Sequence, residues 1–300
     1  MSKARGLADL GNVYDDGALS NRNLIINGAM QVAQRGTNIN VTGGRLYGLD
    51  RWCSVGANTA ETMSMQQVQN TSYNLDFTHY MKHTKSTTDG CWIYQRLEDV
   101  KRFSGKTLTL SYYAWVDSGS TTVTSGSWGR FNGVDENVSG YGGNTITVTT
   151  TPTKFVHTFT FADILSTAGS SSDFFELNWY RNTASNLNLA NVQLEVGDTA
   201  TPFEHRSYGQ ELALAQRFYQ KSNKDGYYQL PSSSGGQIQR QYLRFSPTMR
   251  TAPTMTTTKT GGSAATAVGV DGSERDGLWF SFGGNQYDVI YWDWTADAEL

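Results

Sequence analysis

His79 and His83 stand four residues apart, the spacing at which two helical imidazoles chelate one zinc ion. The residues around them alternate as in a strand, where four residues span about 13 Å. That is too far for one ion, so the pair reads as core or edge histidines. Gly105-Lys106-Thr107 has the ending of a phosphate-binding loop, but Val100 stands where its first glycine belongs. A strand pattern follows instead of the helix that such a loop opens. Gly140-Tyr141-Gly142-Gly143 also runs into a strand pattern and reads as a hairpin loop.

Carboxylate pairs are the next candidates, because two of them can cleave a glycosidic bond. Glu98-Asp99 and Asp135-Glu136 are neighbours in the chain, and neighbouring strand residues point to opposite faces. Asp288 with Asp293 is a looser candidate. No nucleophile elbow, Cys–His arrangement or metalloprotease motif accompanies them. The reading is a chain without catalytic residues, metal site or cofactor. Cys53 and Cys91 are too few for a zinc site, and they are expected as two unpaired, buried thiols.

Aromatic rings are the remaining chemistry. Trp92, Tyr94, Tyr113, Trp115, Trp128, Tyr141, Trp279, Tyr287, Tyr291, Trp292 and Trp294 include several on strand faces opposite the apolar one. A flat ring packs on the C–H face of a pyranose while Asn, Asp or Gln nearby bind the hydroxyls. Tyr113, Trp115, Trp128 and Tyr141 are the residues expected to bind carbohydrate; core packing is the competing use of such rings.

The elements that must position these rings are strands. In 106–116, Leu108, Leu110, Tyr112, Ala114 and Val116 share one face. Residues 75–81, 154–161, 174–180 and 187–196 alternate in the same way, with polar or Gly-rich turns between. Many short strands of this kind argue for an antiparallel sandwich. One helix is expected, from the capping box Ser207-Tyr208-Gly209-Gln210 followed by Leu214, Ala215, Phe218 and Tyr219. The expected division is an extended arm at 1–21, a β domain at 22–206, a connecting helix at 207–222 and a small β domain at 223–300.

Composition agrees with this reading. Of 300 residues only 17% are charged, while there are 31 Gly, 16 Tyr and 8 Trp. A hydrophobic share of 38% still supplies a core. The net charge of −3 gives no electrostatic case for a nucleic-acid partner. No apolar run approaches the roughly 18 residues of a membrane span, so no membrane insertion is expected. Met1-Ser2-Lys3-Ala4-Arg5 is followed by a short mixed stretch and Asp9, which does not read as an export signal.

Several blocks resemble a known family. Asn23-Leu24-Ile25-Ile26-Asn27-Gly28-Ala29-Met30-Gln31-Val32 with Gln34-Arg35-Gly36 and Leu49-Asp50-Arg51-Trp52 resembles the opening of jelly-roll domains in bacteriophage tail proteins. Gln95-Arg96-Leu97-Glu98 and Val192-Gln193-Leu194-Glu195-Val196-Gly197 continue the pattern, and Thr201-Pro202-Phe203-Glu204-His205-Arg206-Ser207 is similar to its exit. Phe245-Ser246-Pro247-Thr248-Met249-Arg250 is similar to C-terminal parts of the same proteins.

The resemblance implies an antiparallel jelly-roll β-sandwich related to carbohydrate-binding modules, in a virion structural protein that is commonly a homotrimer. A tail fibre attaching to the host through surface polysaccharide is the leading expectation. A head fibre or capsid decoration protein of the same fold is the alternative, and a polysaccharide-degrading spike a weaker one. The arm, with Leu7, Leu10, Val13 and Tyr14, is expected to dock on another virion protein. The expected location is the virion, tail before head surface, after synthesis in the host cytoplasm. Relatives often carry a structural calcium near the chain ends of the sandwich; the position that often holds an acidic residue is Gln31 in this chain.

Overall fold

The structure is a computed structural model that describes residues 21–132, 134–136, 143–166, 169–222, 226–229, 239–262, 267–283 and 287–300. The chain divides into two compact units, one ending at Tyr208 but including Leu300 and the other Gly209–Glu299. Both are built of antiparallel strands, and each is described by itself.

Among its described residues the first unit is a sandwich of thirteen strands: β1 (Asn38–Thr42), β2 (Arg45–Tyr47), β3 (Cys53–Gly56), β4 (Thr62–Gln69), β5 (His79–Lys85), β6 (Cys91–Leu97), β7 (Thr107–Trp115), β8 (Thr121–Phe131), β9 (Val134–Glu136), β10 (Asn144–Val148), β11 (Thr153–Thr160), β12 (Phe174–Arg181) and β13 (Leu187–Val196). One sheet has the order β1-β4-β5-β13-β7-β11. The other runs β10-β8-β12-β6-β3-β2, with β9 on β8. Sequence neighbours repeatedly cross from one sheet to the other, which is the jelly-roll arrangement.

Period-2 alternation builds the core. Phe175, Leu177 and Trp179 of β12 are fully buried, as are Leu187, Leu189, Val192 and Leu194 of β13. The Trp179 ring meets Trp52 at 5.7 Å and Tyr112 edge-on at 5.3 Å. Filling the space between two sheets with large rings of this kind is the main source of stability in such a fold.

The opening motif is a structural clasp. Asn23 Oδ1 accepts from Ile25 N and Leu194 N, at 3.0 and 3.2 Å, while its amide donates to Val192 O at 3.0 Å. Asn27 Oδ1 accepts from Val32 N at 2.9 Å, and its amide donates to Val32 O and Asp50 O. The Gln95 amide pairs with both backbone groups of Ile26 at 2.9 Å, as a strand neighbour would. These amides satisfy backbone groups in a segment that belongs to no sheet, where an unpaired buried group would be costly.

Two sequence expectations shift. The strand expected at 75–81 begins only at His79. Asn70 ties the preceding loop, its amide donating to Tyr73 O and Phe77 O at 2.9 Å, so Phe77 is buried from a loop. The helix expected over 207–222 is α1 (Tyr208–Gln216) and closes earlier. Phe218 N donates to Ala215 O at 2.9 Å, and the chain turns into strand β14 (Tyr219–Lys221).

The second unit comprises β14 (Tyr219–Lys221), β15 (Gly226–Gln229), β16 (Gln239–Arg244), β17 (Thr254–Gly262), β18 (Ala267–Ser273), β19 (Gly277–Gly283) and β20 (Val289–Asp297). Strands β14, β15 and β17 pair with β20, and β16 and β18 flank β19. Phe245, Met249, Leu278, Phe280, Phe282, Ile290, Trp292 and Ala296 form its core.

Candidate functional site

Strands β6 and β12 carry their apolar residues inward, which turns Trp92, Tyr94 and Arg96 of β6 and Glu176, Asn178 and Tyr180 of β12 to the outer face. Register sets these residues in rows across the sheet. Val55, Trp92, Tyr180 and Thr124 lie opposite one another along one row. Cys53, Tyr94, Asn178 and Gly126 form the next, followed by Arg96, Glu176 and Trp128. Arg45 of β2 stands opposite Val55 at one side.

Two adjoining hollows lie on this face. One, of about 390 Å³, is lined by Arg45, Val55, Trp92, Tyr94, Arg96, Trp128, Glu176 and Asn178. The other, of about 340 Å³, adds Thr124, Gly126, Ser127, Gly143 and Tyr180 and shares Trp92 and Asn178 with the first. Together they are large enough for a short run of sugar rings.

The Trp92 and Tyr180 rings lie 4.9 Å apart and tilted by 44°, both half-buried. Gly90 is what lets the Tyr180 ring lie there, since a Cβ at this position would come within 2.8 Å of it. At Gly126 the absence of a side chain keeps the sheet open beside Asn178.

The other end of the cleft is charged. Arg96 Nε donates to Glu176 Oε2 at 3.0 Å, and Asn178 Nδ2 donates to Glu176 Oε1 at 3.3 Å. The Arg96 guanidinium also packs on the rings of Phe174 (4.0 Å), Tyr94 (5.2 Å) and Trp128 (5.5 Å). The Arg45 guanidinium also lies over the Tyr94 ring, 5.7 Å from its centre. Burial raises the Glu176 carboxyl above the ordinary glutamate range, against the pull of Arg96. Burial, with the Cys53 thiol beside it, likewise raises the Tyr94 hydroxyl.

Of the described lining residues, Glu176 is the one carboxylate. A general acid–base pair of the glycosidase kind is therefore not assembled by them. The face offers flat rings, an amide, a carboxylate and guanidinium donors, which is equipment for binding.

Trp128, read from the sequence as a sugar contact, lines the first hollow. Tyr113 and Trp115 sit on the other sheet. Trp115 is 0% exposed, beneath Phe77 (5.5 Å, stacked at 24°), Tyr73 and Tyr80. Its ring has no open face, because the Asn70-tied loop closes over it. Tyr113 is half-buried beside Phe77 at 5.8 Å in the same cluster. Tyr141 lies outside the described residues, as do Leu7, Leu10, Val13 and Tyr14 of the arm.

Trp92 and Tyr94 stood among the aromatic rings noted in the sequence but not among the four expected to bind carbohydrate, and Arg45, Arg96, Glu176, Asn178 and Tyr180 were not read as site residues. Their signal was present in the alternation itself: each β6 or β12 member stands between residues that face the core.

His83 and Cys91 are placed by a buried polar cluster, whereas His79 is half-buried beside Thr78 Oγ1. His83 Nε2 lies 2.7 Å from Ser54 Oγ, and Arg181 Nη2 donates to its Nδ1 at 2.7 Å. Lys85 Nζ meets Glu61 Oε1 at 3.1 Å beside them. Cys91 faces this cluster through Ser54 and Met63. Cys53 stands on β3 next to Ser54 and opposite Tyr94, so the two thiols point to opposite sides of one sheet and are not bridged.

Among the described residues no group of three or more His, Cys, Asp or Glu side chains is gathered that could hold a metal ion, and the chain-end carboxylates are engaged by protein groups. Glu195 accepts from Thr201 N and Oγ1, and Glu204 accepts from Asn23 N, with the Arg206 guanidinium 3.7 Å from Glu204. Gln31 donates to Thr78 Oγ1 at 3.5 Å.

No family model matches the chain, and no curated protein matches it. Among solved structures it is similar to the enzymatically active domain of tailspike protein 4 of bacteriophage CBA120, at 13% identity over 59% of this chain and 22% of that one, with a TM-score of 0.41. The chain thus spans about a fifth of that domain's length. It is also similar to the CBM22-1 xylan-binding domain of Paenibacillus barcinonensis Xyn10C (14% identity, 59% of this chain, 96% of that one, TM-score 0.39). A third is the family 11 carbohydrate-binding module from Clostridium thermocellum (13% identity, 54% and 100%, TM-score 0.36).

Proposed function

We propose that the jelly-roll unit binds polysaccharide along the outer face of the β10-β8-β12-β6-β3-β2 sheet. The observation that carries this reading is the Trp92–Tyr180 pair, half-exposed and 4.9 Å apart in a hollow floored by Asn178. A pyranose stacked there places its hydroxyls against an amide, a carboxylate and guanidinium groups. Burying such rings against water would be wasteful on a sheet face with no ligand, whereas a sugar covers them and leaves its polar rim hydrogen-bonded.

Within that reading, the blocks that resemble phage tail proteins support a virion structural role, a tail fibre that contacts host-surface polysaccharide without cleaving it. The second unit leaves Trp279 and Tyr242 exposed as a tilted pair 5.0 Å apart, a surface suited to burial in a homotrimer. Affinity electrophoresis of the full chain through gels cast with xylan, mixed-linked β-glucan, dextran, alginate or polygalacturonate tests the binding claim. Retardation in at least one gel, lost in Trp92→Ala, is expected. Free migration in every gel, or retention untouched by Trp92→Ala, would contradict it.

A further inference from the structure

The two ends of the cleft differ in charge chemistry, and this bears on which polysaccharide it takes. Arg96 is already committed, since Glu176 accepts its Nε–H, Leu300 O accepts from its Nη1 at 3.0 Å, and three rings pack around its guanidinium. Arg45 is not. It is exposed, its guanidinium lies 5.7 Å from the Tyr94 ring centre, and Glu176 acts on it only as a nearby charge and not as an ion-pair partner. The hollow that it lines holds two guanidinium groups and one carboxylate. Counted over its lining side chains alone, the hollow carries one positive charge in excess, on a chain whose overall charge is −3. A neutral glycan would leave this cation unused at the lip of the site.

Resting on the reading of this face as a glycan site, we infer that it selects an acidic glycan and that Arg45 receives the carboxylate of a uronic-acid-type sugar. The planar guanidinium presents paired N–H donors that match a carboxylate, at a mouth open enough to admit one. Trp92 and Tyr180 hold the adjoining rings, so the register between stacked sugar and bound carboxylate is fixed by the sheet: Arg45 stands opposite Val55, and Val55 opposite Trp92. The arrangement thus reads an acidic residue in a chain and does not merely attract a polyanion.

The test measures dissociation constants of the full chain for alginate, polygalacturonate and hyaluronan oligosaccharides and for neutral xylan, β-glucan and dextran oligosaccharides. Wild type, Arg45→Gln, Arg45→Lys and Trp92→Ala are compared, with circular dichroism showing that each is folded. The expected result is preference for an acidic series, at least tenfold weakening by Arg45→Gln, partial recovery in Arg45→Lys, and loss in Trp92→Ala. Equal or better binding to neutral oligosaccharides that is indifferent to Arg45→Gln would overturn the acidic inference and leave the glycan site standing. Acidic binding that survives Trp92→Ala would mark plain ion exchange and overturn the inference as well. Binding to none of the six would remove the glycan site itself and the inference with it.

Discussion

The indole of Trp92 and the phenol of Tyr180 lie 4.9 Å apart on adjacent strands, held there because residue 90 has no side chain to displace the Tyr180 ring. Trp92→Ala and Tyr180→Ala should each weaken glycan binding by about 2 kcal/mol, the cost typical of a central aromatic anchor. That is more than tenfold in Kd. Thermal melting should change little, since neither ring belongs to the sandwich core. Isothermal titration and a melting curve on the same samples separate the two effects.

Gly90→Ala tests the same pair indirectly. The new methyl would stand 2.8 Å from the Tyr180 ring and must push it. Binding should weaken although no contact residue is altered, while Gly90→Ala combined with Tyr180→Ala should be no worse than Tyr180→Ala alone. A double-mutant cycle read by titration checks this.

Tyr113→Ala and Tyr80→Ala alter the aromatic cluster on the opposite sheet. They should lower stability by exposing Trp115 and leave glycan affinity within twofold of wild type. Equal loss on both faces in a binding assay would move the site.

How much was legible follows from these residues. The inward runs of β7, β12 and β13 were readable because a half-buried strand repeats every two residues. Trp115 was misplaced for a physical reason: β7 is buried on both faces, its outer one by a loop whose Asn70 tether leaves no periodic trace. The cleft residues were hidden in another way. Arg45, Arg96 and Asn178 acquire meaning only when register sets β2, β3, β6 and β12 in one sheet, and one sequence does not state its register. Asn23 and Asn27 were noticed as a motif, but their work as backbone clasps appears only with their partners.

Gly28 belongs to that clasp. A Cβ there would lie 2.1 Å from Val192 O, backbone that cannot swing aside. Gly28→Ala should destabilise the sandwich by about 1–3 kcal/mol, the usual range for overpacking. Urea unfolding should show a lower midpoint with an unchanged slope.

His83 gives the stability a pH dependence. Burial, with Arg181 and Lys85 beside it, holds its pKa well below the ordinary histidine value, so it stays neutral in the folded state. The unfolded chain takes up a proton below about pH 6.5 while the folded one does not. Stability should therefore be full above that pH and fall on acidification, by up to about 1.4 kcal/mol per pH unit. His157, lowered by its own burial, adds to the same trend. Urea melts from pH 8 to pH 5 should show this slope, and His83→Gln should flatten it.

The central claim is that the β6–β12 face holds the glycan, and chemical-shift mapping tests it most directly. Indole and backbone signals of the ¹⁵N-labelled chain would be followed as an alginate or polygalacturonate oligosaccharide is added. The account predicts saturable shifts centred on Trp92, Tyr94, Arg96, Trp128, Asn178 and Tyr180, with the Trp115 indole unmoved. Shifts centred on Tyr80, Tyr113 and Trp115, or no shifts with any acidic or neutral oligosaccharide, would contradict it.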